Sequence, residues 1–226
     1  MQMTHLSFAL TADGSKTIFN HKVGEHYHSR HGALQESIHV FLNSGLLFYL
    51  DRYKETGAAI LEVGFGSGLN FLVTTDHCTK NNLAIHYNGI EAFPVDEKMI
   101  SETGYNEYFA PEIWETFLKS YSSAFGNTVQ LNKNCSLLIA ECTLMNFHSD
   151  KLFDVIYFDA FAAVHQPEMW TYDSLSHICK YLKSGGIFVT YAITGDLKRT
   201  MKSLGFSIEK APGAPGKREM LRAVKS

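Results

Sequence analysis

Ile60-Leu61-Glu62-Val63-Gly64-Phe65-Gly66-Ser67-Gly68-Leu69-Asn70 reads as a buried strand, a glycine turn and the opening of a helix. Three glycines within five residues let the backbone reverse sharply and come close to a ligand, and the first turn of the helix that follows offers unpaired N–H groups. The spacing departs from a dinucleotide fingerprint, which places two residues before its third glycine, and Glu62 would repel a pyrophosphate. An acid two positions before Gly-x-Gly-x-Gly suits a cationic ligand better. S-adenosylmethionine, with its sulfonium and ammonium, is such a ligand. The alternative is a glycine turn that only connects strand to helix.

Outward from this turn, helix and strand patterns alternate. The sequence predicts a helix from Leu69, a strand over 85–92, helices over 95–102 and 111–121, and strands at 136–141 and 153–158. A helix over 168–182, a strand at 186–192, a helix over 196–204 and an antiparallel pair at 206–210 and 218–224 complete the chain. Strands separated by helices imply an α/β fold with a largely parallel sheet covered on both faces and an antiparallel C-terminal edge. Upstream, an Asp13-Gly14 turn between apolar runs predicts a hairpin over 8–19, and apolar residues at helical spacing predict a helix over 34–53. The expected organisation is an extension of hairpin, loop and helix over 1–50, followed by the α/β domain over 51–226.

The 226 residues are 45% apolar and 19% charged, as in an ordinary globular chain with one sizeable core. The start has no basic leader and the longest early apolar run is far too short to cross a bilayer, so the expectation is a cytoplasmic protein without membrane contact. Cys78, Cys135, Cys142 and Cys179 form no Cys-x-x-Cys pair, which predicts reduced thiols. His21, His26, His28 and His31 crowd one loop but lack the carboxylate spacing of a metal site, so they are read as solvated and no metal is expected. The formal net charge is −3, yet from Lys198 onward eight Lys or Arg face two Glu, a surplus of six that leaves −9 for the remainder. That basic end either grips phosphates or forms a solvated surface.

In an open α/β sheet, ligands bind beyond the carboxyl ends of the strands. Gly64, Gly66 and Gly68 follow the first such end, with Asn70 in the helix behind them. Glu91 closes the second, about twenty residues past the glycines, where a carboxylate can accept both ribose hydroxyls. Glu141 closes the third and can accept from an adenine amino group or cap a helix. Asp159 closes the fourth, beside Phe161. Three acids in this order behind a glycine turn favour an adenosyl cofactor. Pro167 opens the next helix, and Trp170 lies either near the cleft or in the core.

Several strings together resemble the methyltransferase half of the bifunctional tRNA 5-methylaminomethyl-2-thiouridine biosynthesis proteins (MnmC) and their stand-alone relatives, often called MnmD. They are Gly64-Phe65-Gly66-Ser67-Gly68-Leu69-Asn70-Phe71-Leu72, Glu91-Ala92-Phe93-Pro94, Asp159-Ala160-Phe161-Ala162 with Gln166-Pro167-Glu168-Met169-Trp170-Thr171, and Gly216-Lys217-Arg218-Glu219-Met220-Leu221. Gln35-Glu36-Ser37 with Val40-Phe41-Leu42 resembles the family's entry segment. Glu141 stands where the family typically has Asp, and Ala163 where proline often follows Phe-Ala.

The resemblance implies a class I, Rossmann-like methyltransferase. It would transfer a methyl group from S-adenosylmethionine to the primary amine of 5-aminomethyl(-2-thio)uridine at the tRNA wobble position. It does not extend to the family's FAD-dependent oxidase half, so the aminomethyl form is expected to be supplied by other means. On this reading Glu62, Gly64, Gly66, Gly68, Asn70, Glu91, Glu141 and Asp159 hold the cofactor. Asp159 also orients the amine, Phe161 and Trp170 border the uridine, and Lys198, Arg199, Lys217 and Arg218 meet tRNA phosphates. Two rivals remain. An aminopropyltransferase acting on a small amine shares the sulfonium ligand, although its acidic amine pocket is sparse in this sequence; a noncatalytic RNA-binding module would keep only the fold.

Overall fold

The computed structural model describes residues 5–226. A small antiparallel sheet opens the chain: β1 (Leu6–Leu10), β2 (Lys16–Asn20) and β3 (Glu25–His26). Its first turn is held by the Asp13 side chain, which accepts from the backbone N–H and hydroxyl of Ser15 and from the N–H of Gln35, tying the hairpin to the next helix.

That helix runs without a break from Ala33 to Tyr53 as α1 (Ala33–Glu36), a π-helical stretch (Ser37–Leu47) and α2 (Phe48–Tyr53). Of the apolar residues that predict it, Phe41 and Leu46 are fully buried against the main sheet. π-Helix is rare and costs hydrogen-bond geometry, so a stretch of this length is not what apolar periodicity alone predicts.

The α/β body follows: β4 (Gly57–Val63), α3 (Leu69–Lys80), β5 (Ala84–Glu91), α4 (Glu97–Ser101), α5 (Pro111–Tyr121), β6 (Val129–Asn132), β7 (Cys135–Glu141), β8 (Phe153–Phe158), α6 (Tyr172–Cys179), β9 (Leu182–Thr190), α7 (Gly195–Ser203), β10 (Phe206–Pro212) and β11 (Glu219–Lys225). The eight-stranded sheet has the order β10-β11-β9-β8-β4-β5-β7-β6. Strands β4, β5, β7, β8 and β9 are parallel, and β11 is antiparallel to both neighbours. This is the expected Rossmann-like sheet of class I methyltransferases. Every residue of β8 is buried, as required of a central strand covered on both faces. Val155 and Tyr157 join one apolar cluster, and Ile156 and Phe158 the other.

The expected antiparallel pair closes one edge, with β10 outermost and β11 one position in. Three expectations change. Strand β6 was not expected; it pairs through a bulge with β7. The helix read over 168–182 is shorter, because Pro167–Trp170 forms a 3₁₀ turn and Thr171 then caps α6 by accepting from the N–H of Ser174. Strand β9 starts early, at Leu182, with an irregular register before Val155 and Ile187 pair. Among the described residues no helix is long and apolar enough to cross a membrane.

Candidate active site

The turn after β4 is tied to its neighbours before any ligand is considered. The N–H groups of Gly64 and Phe65 both donate to the carbonyl of Ile90 at the end of β5. Gly64 has φ +83, and a Cβ there would collide with the Asp159 carbonyl oxygen, so only glycine lets the ends of β4 and β8 meet this closely. Gly66 has φ +53 and lies under the ring of Tyr27, where a Cβ would come within 2.9 Å of Cδ1. Its N–H donates to Glu91 Oε2 at 2.8 Å, and the N–H of Phe93 donates to Oε1 at 2.9 Å. Burial raises the Glu91 carboxyl above its usual range, and these two N–H donors oppose the rise. Gly68 caps α3 and completes the glycine turn.

Behind the turn stands a clamp of three polar side chains. The two N–H bonds of Asn70 Nδ2 reach Glu62 Oε1 and Asp159 Oδ2, each at 2.8 Å. Tyr87 donates to the other oxygen of Glu62 at 2.9 Å. Glu62 is fully buried, so it supports Asn70 from behind rather than facing the opening. Burial drives its carboxyl well above the usual range, with Asp159 and Glu91 adding to the rise and Asn70 and Tyr87 opposing it. The Asn70 Oδ1 atom is buried with no hydrogen-bond partner. A buried acceptor awaiting a donor, beside two buried carboxylates and a glycine cradle, fits a ligand that carries an ammonium and a sulfonium.

Beside Asp159, from Ala160 onward, lies a cleft of about 200 Å³ whose walls come from distant segments, including Glu25, Tyr27, His28, Glu36, Phe161, Tyr191 and Lys217. The Asp159 side chain is 4% exposed, and His28 Nδ1 lies 3.7 Å from Oδ2. Burial pushes the Asp159 carboxyl well above the usual carboxylate range; Glu36 and Glu25 add to this, while Asn70 and Lys217 oppose it. Glu25 accepts from the N–H of Ala162 at 2.8 Å, holding the loop after β8. Glu36 accepts from Ser29 N–H and, at 2.7 Å, from Lys217, whose ammonium also stands 3.8 Å from the centre of the Tyr191 ring. Tyr27 meets Phe161 edge to face at 5.3 Å. Trp170 donates to the Phe161 carbonyl at 2.7 Å and packs on Phe158 and Tyr191, so it both shapes the loop and belongs to the core.

The structure thus joins Gly64, Gly66, Gly68, Asn70, Glu91, Asp159, Phe161 and Trp170 around one end of the sheet, with Glu62 behind them. Glu141 is exposed at the end of β7, in register with Glu91. The basic residues separate. Lys217 turns inward to Glu36, whereas Lys198 and Arg199 line a shallow groove of about 350 Å³ on α7 and β10 with Lys202 and Lys210. Arg199 pairs with Asp196 in its own helix. Arg218 is exposed, and among the described residues no ion pair involves Lys198, Lys202, Lys210 or Arg218.

Two readings are overturned. His28 is not a solvated loop histidine but is 7% exposed and faces Asp159. The acidic amine pocket is not sparse, because Glu25, Glu36 and Asp159 converge from three separate segments. The weak sequence signals were Tyr27-His28 and Gln35-Glu36, which carry no spacing that links them to Asp159.

A family model described as S-adenosyl-L-methionine-dependent methyltransferase matches residues 108–226, just over half of the chain. The chain belongs to this family. This methyltransferase is 31% identical over 206 residues to the tRNA 5-methylaminomethyl-2-thiouridine biosynthesis bifunctional protein MnmC of Leptospira borgpetersenii serovar Hardjo-bovis (strain JB197), covering 86% of this chain and 31% of that protein. To the MnmC of Nitrosospira multiformis it is 30% identical over 226 residues, 91% of this chain and 35% of that protein. It spans about a third of the length of these curated relatives. The crystal structure of MNMC2 from Aquifex aeolicus aligns with a TM-score of 0.79 at 25% identity, covering 99% of this chain and 71% of that one. Streptomyces venezuelae DesVI, at a TM-score of 0.50 and 10% identity over 85% of this chain and 92% of that one, shares the fold alone. The cofactor of the family is S-adenosyl-L-methionine, which the glycine cradle and buried acids fit.

Proposed function

We propose that this chain methylates the primary amine of 5-aminomethyl(-2-thio)uridine at the wobble position of tRNA, acting in the cytoplasm on the modified tRNA. The observation that carries the reading is that Glu36 and Glu25 line an aromatic-walled cleft with the buried Asp159 beside it, all three acids close enough to act on one another. Such a cleft attracts an alkylammonium and excludes a phosphate from its floor. The similarity to MnmC proteins supplies the nucleoside.

On this reading Gly64, Gly66 and Gly68 give the cofactor a close backbone, Glu91 its ribose contact, Glu141 its adenine contact, and Asn70 with Glu62 behind it the polar wall. Bound S-adenosylmethionine would supply an electrophilic methyl group on sulfur. Asp159 accepts a hydrogen bond from the substrate amine and fixes the direction of its lone pair, since positioning is the main demand of a one-step displacement. Phe161, Tyr27 and Trp170 enclose the base, as aromatic side chains do for an unstacked nucleotide. The 1–50 segment supplies the outer wall through Glu25, Tyr27, His28 and Glu36, while 51–226 carries the cofactor side. Lys198, Arg199, Lys202, Lys210 and Arg218 meet backbone phosphates outside the cleft. Lys217 instead pairs with Glu36 inside the cleft.

The test is incubation of the protein with methyl-labelled S-adenosylmethionine and tRNA bearing 5-aminomethyl-2-thiouridine, followed by nucleoside mass spectrometry. Label in the methylaminomethyl nucleoside is expected. Cofactor binding without transfer to tRNA, but with transfer to a free amine, would replace this reading with a small-amine transferase. Absence of cofactor binding would leave an RNA-binding module.

A further inference from the structure

The cleft beside Asp159 differs in charge between its floor and its mouth. Glu36 and His28 are buried, whereas Arg30, which lines the same cleft, is exposed. Of the lining residues, Arg30 and Lys217 carry a permanent positive charge. Lys217 is committed, with its ammonium 2.7 Å from Glu36 Oε2. Arg30 is not: among the described residues it forms no ion pair and its guanidinium lies over no aromatic ring, although Glu25 and Glu36 line the same cleft. Burial lowers the His26 imidazole, Arg30 adds to the fall and Glu25 opposes it, so both charges stand near His26 without pairing with each other.

The backbone that carries Arg30 is fixed. Its carbonyl accepts from the Ala12 N–H at 2.9 Å, the Ser29 N–H before it donates to Glu36 Oε1 at 2.9 Å, and the Gly32 N–H closes the turn onto the Ser29 carbonyl at 3.1 Å. The first hairpin and α1 thus hold the root of the side chain at the cleft and leave its guanidinium free. A guanidinium presents its N–H donors in a planar fork that matches a phosphate, and exposure keeps the desolvation cost of that contact small. Nucleotide stereochemistry supplies the anion. In an anti pyrimidine nucleotide the C5–C6 edge of the base faces the nucleotide's own 5′-phosphate, so a 5-aminomethyl group projects from the edge nearest that phosphate. A cleft that draws the amine toward carboxylates therefore meets the 5′-phosphate at its mouth.

We propose that Arg30 binds the 5′-phosphate of the nucleotide whose amine is methylated, so that the cleft recognises one nucleotide by its two opposite charges. The inference rests on the function proposed above and narrows its substrate class to a 5-aminomethyl pyrimidine nucleotide, as opposed to a free amine. Tyr27, Phe161 and Tyr191, which line the same cleft, supply walls for the base. The contact differs in kind from those on α7 and β10. That groove can meet any stretch of RNA backbone, whereas Arg30 is tied to the reacting nucleotide.

A binding cycle tests the contact by removing each partner in turn. Dissociation constants are measured by fluorescence anisotropy for an anticodon stem-loop RNA with 5-aminomethyluridine at the wobble position. One form has the natural 5′-phosphate on that nucleotide and the other an uncharged methylphosphonate. Both carry a 2′-O-methyl group on the preceding ribose, which keeps the altered linkage intact. Arg30→Gln is expected to weaken binding of the natural RNA about tenfold and to reduce the salt slope by about one logarithmic unit, and the methylphosphonate to weaken wild-type binding by a similar factor. Together the two changes should weaken binding no more than either alone, while Arg30→Lys keeps part of the affinity. Losses that multiply to about a hundredfold, no loss from Arg30→Gln, or no binding of the natural RNA to the wild type overturns the proposal. Methyl transfer is read separately with labelled S-adenosylmethionine. If the wild type binds this RNA and transfers nothing to it, the functional reading falls, while the cycle still decides whether Arg30 meets that phosphate.

Discussion

The molecule handles charge in opposite ways in two places. Around Asp159, carboxylates are buried and each is held by a named donor or cation; on α7 and β10, ammonium groups stand in a shallow groove with few partners. Buried charge acts through geometry, because desolvation makes every donor count and a displaced group loses most of its effect. Exposed charge acts through number, because salt screens each group and only their sum steers a polyanion. One region is suited to choosing an amine, the other to holding whatever long anion carries it.

The largest break in this contrast should come from the buried side. Asp159→Ala removes the buried acceptor beside the cleft and is expected to lower turnover by about 10² to 10⁴-fold. The cofactor affinity should change far less, since the glycine turn keeps its bonds to Ile90 and Glu91. Near-normal turnover, measured with labelled cofactor, would remove Asp159 from the reaction. The groove should answer differently. Combined Lys198→Ala, Arg199→Ala, Lys202→Ala and Lys210→Ala is expected to weaken tRNA binding by about ten- to a hundredfold and to flatten its salt dependence by up to about one logarithmic unit for each phosphate no longer neutralised. Binding that weakens without a change in salt slope would argue for a structural role instead.

Gly66→Ala sits between these cases. At φ +53 an alanine costs about 1–2 kcal/mol, and its methyl would press on Tyr27. The turn should relax in the free protein and have to be forced back on binding, so cofactor dissociation is expected to weaken roughly tenfold in a calorimetric titration. Lys217→Ala tests whether that lysine belongs to the cleft. Glu36 would be left buried with only Ser29 N–H as a donor, costing roughly 2 kcal/mol. This is below the cost for a fully enclosed pair because the Lys217 side chain is itself 32% exposed. A fall in Tm of about 4–8 °C follows, whereas an unchanged Tm with weaker tRNA binding would return Lys217 to the phosphate surface.

The same contrast explains what the sequence discloses. Strand β8 and the glycine turn are legible because their signals are local: the apolar run Val155-Ile156-Tyr157-Phe158, and three glycines that only one kind of turn needs. The acids at the ends of β4, β5, β7 and β8 are legible because topology places strand ends together. His28 and Glu36 are not, since nothing local distinguishes a histidine that meets Asp159 from its solvated neighbours in the same loop. Lys217 is misread for the converse reason: it shares a basic end with Lys198 and Arg199, yet its hairpin turns it 181 residues back along the chain to Glu36. Charge counts register exposed groups that act in sum and miss the single buried pair.

The smallest effect has the most definite sign. Burial raises the folded-state pKa of Asp159 above its unfolded value, and the same holds for Glu62 and Glu91. A carboxyl raised in this way favours the folded state fully while it is protonated in both states, below its unfolded pKa. That contribution is lost as pH rises through the elevated folded value. The cofactor-free protein should therefore lose stability from mildly acidic to neutral pH. Asp159→Asn, which keeps an oxygen for Asn70 but cannot ionise, should flatten this decline and raise Tm at neutral pH while lacking turnover. Added S-adenosylmethionine should stabilise the wild type more at neutral than at acidic pH, because its positive groups favour the ionised acids. Thermal melts across this range, with and without cofactor, read both effects. A variant that melts below the wild type at neutral pH would mean that Asp159 holds the fold together rather than straining it, and the buried side of the comparison would lose its claim to be shaped for a ligand.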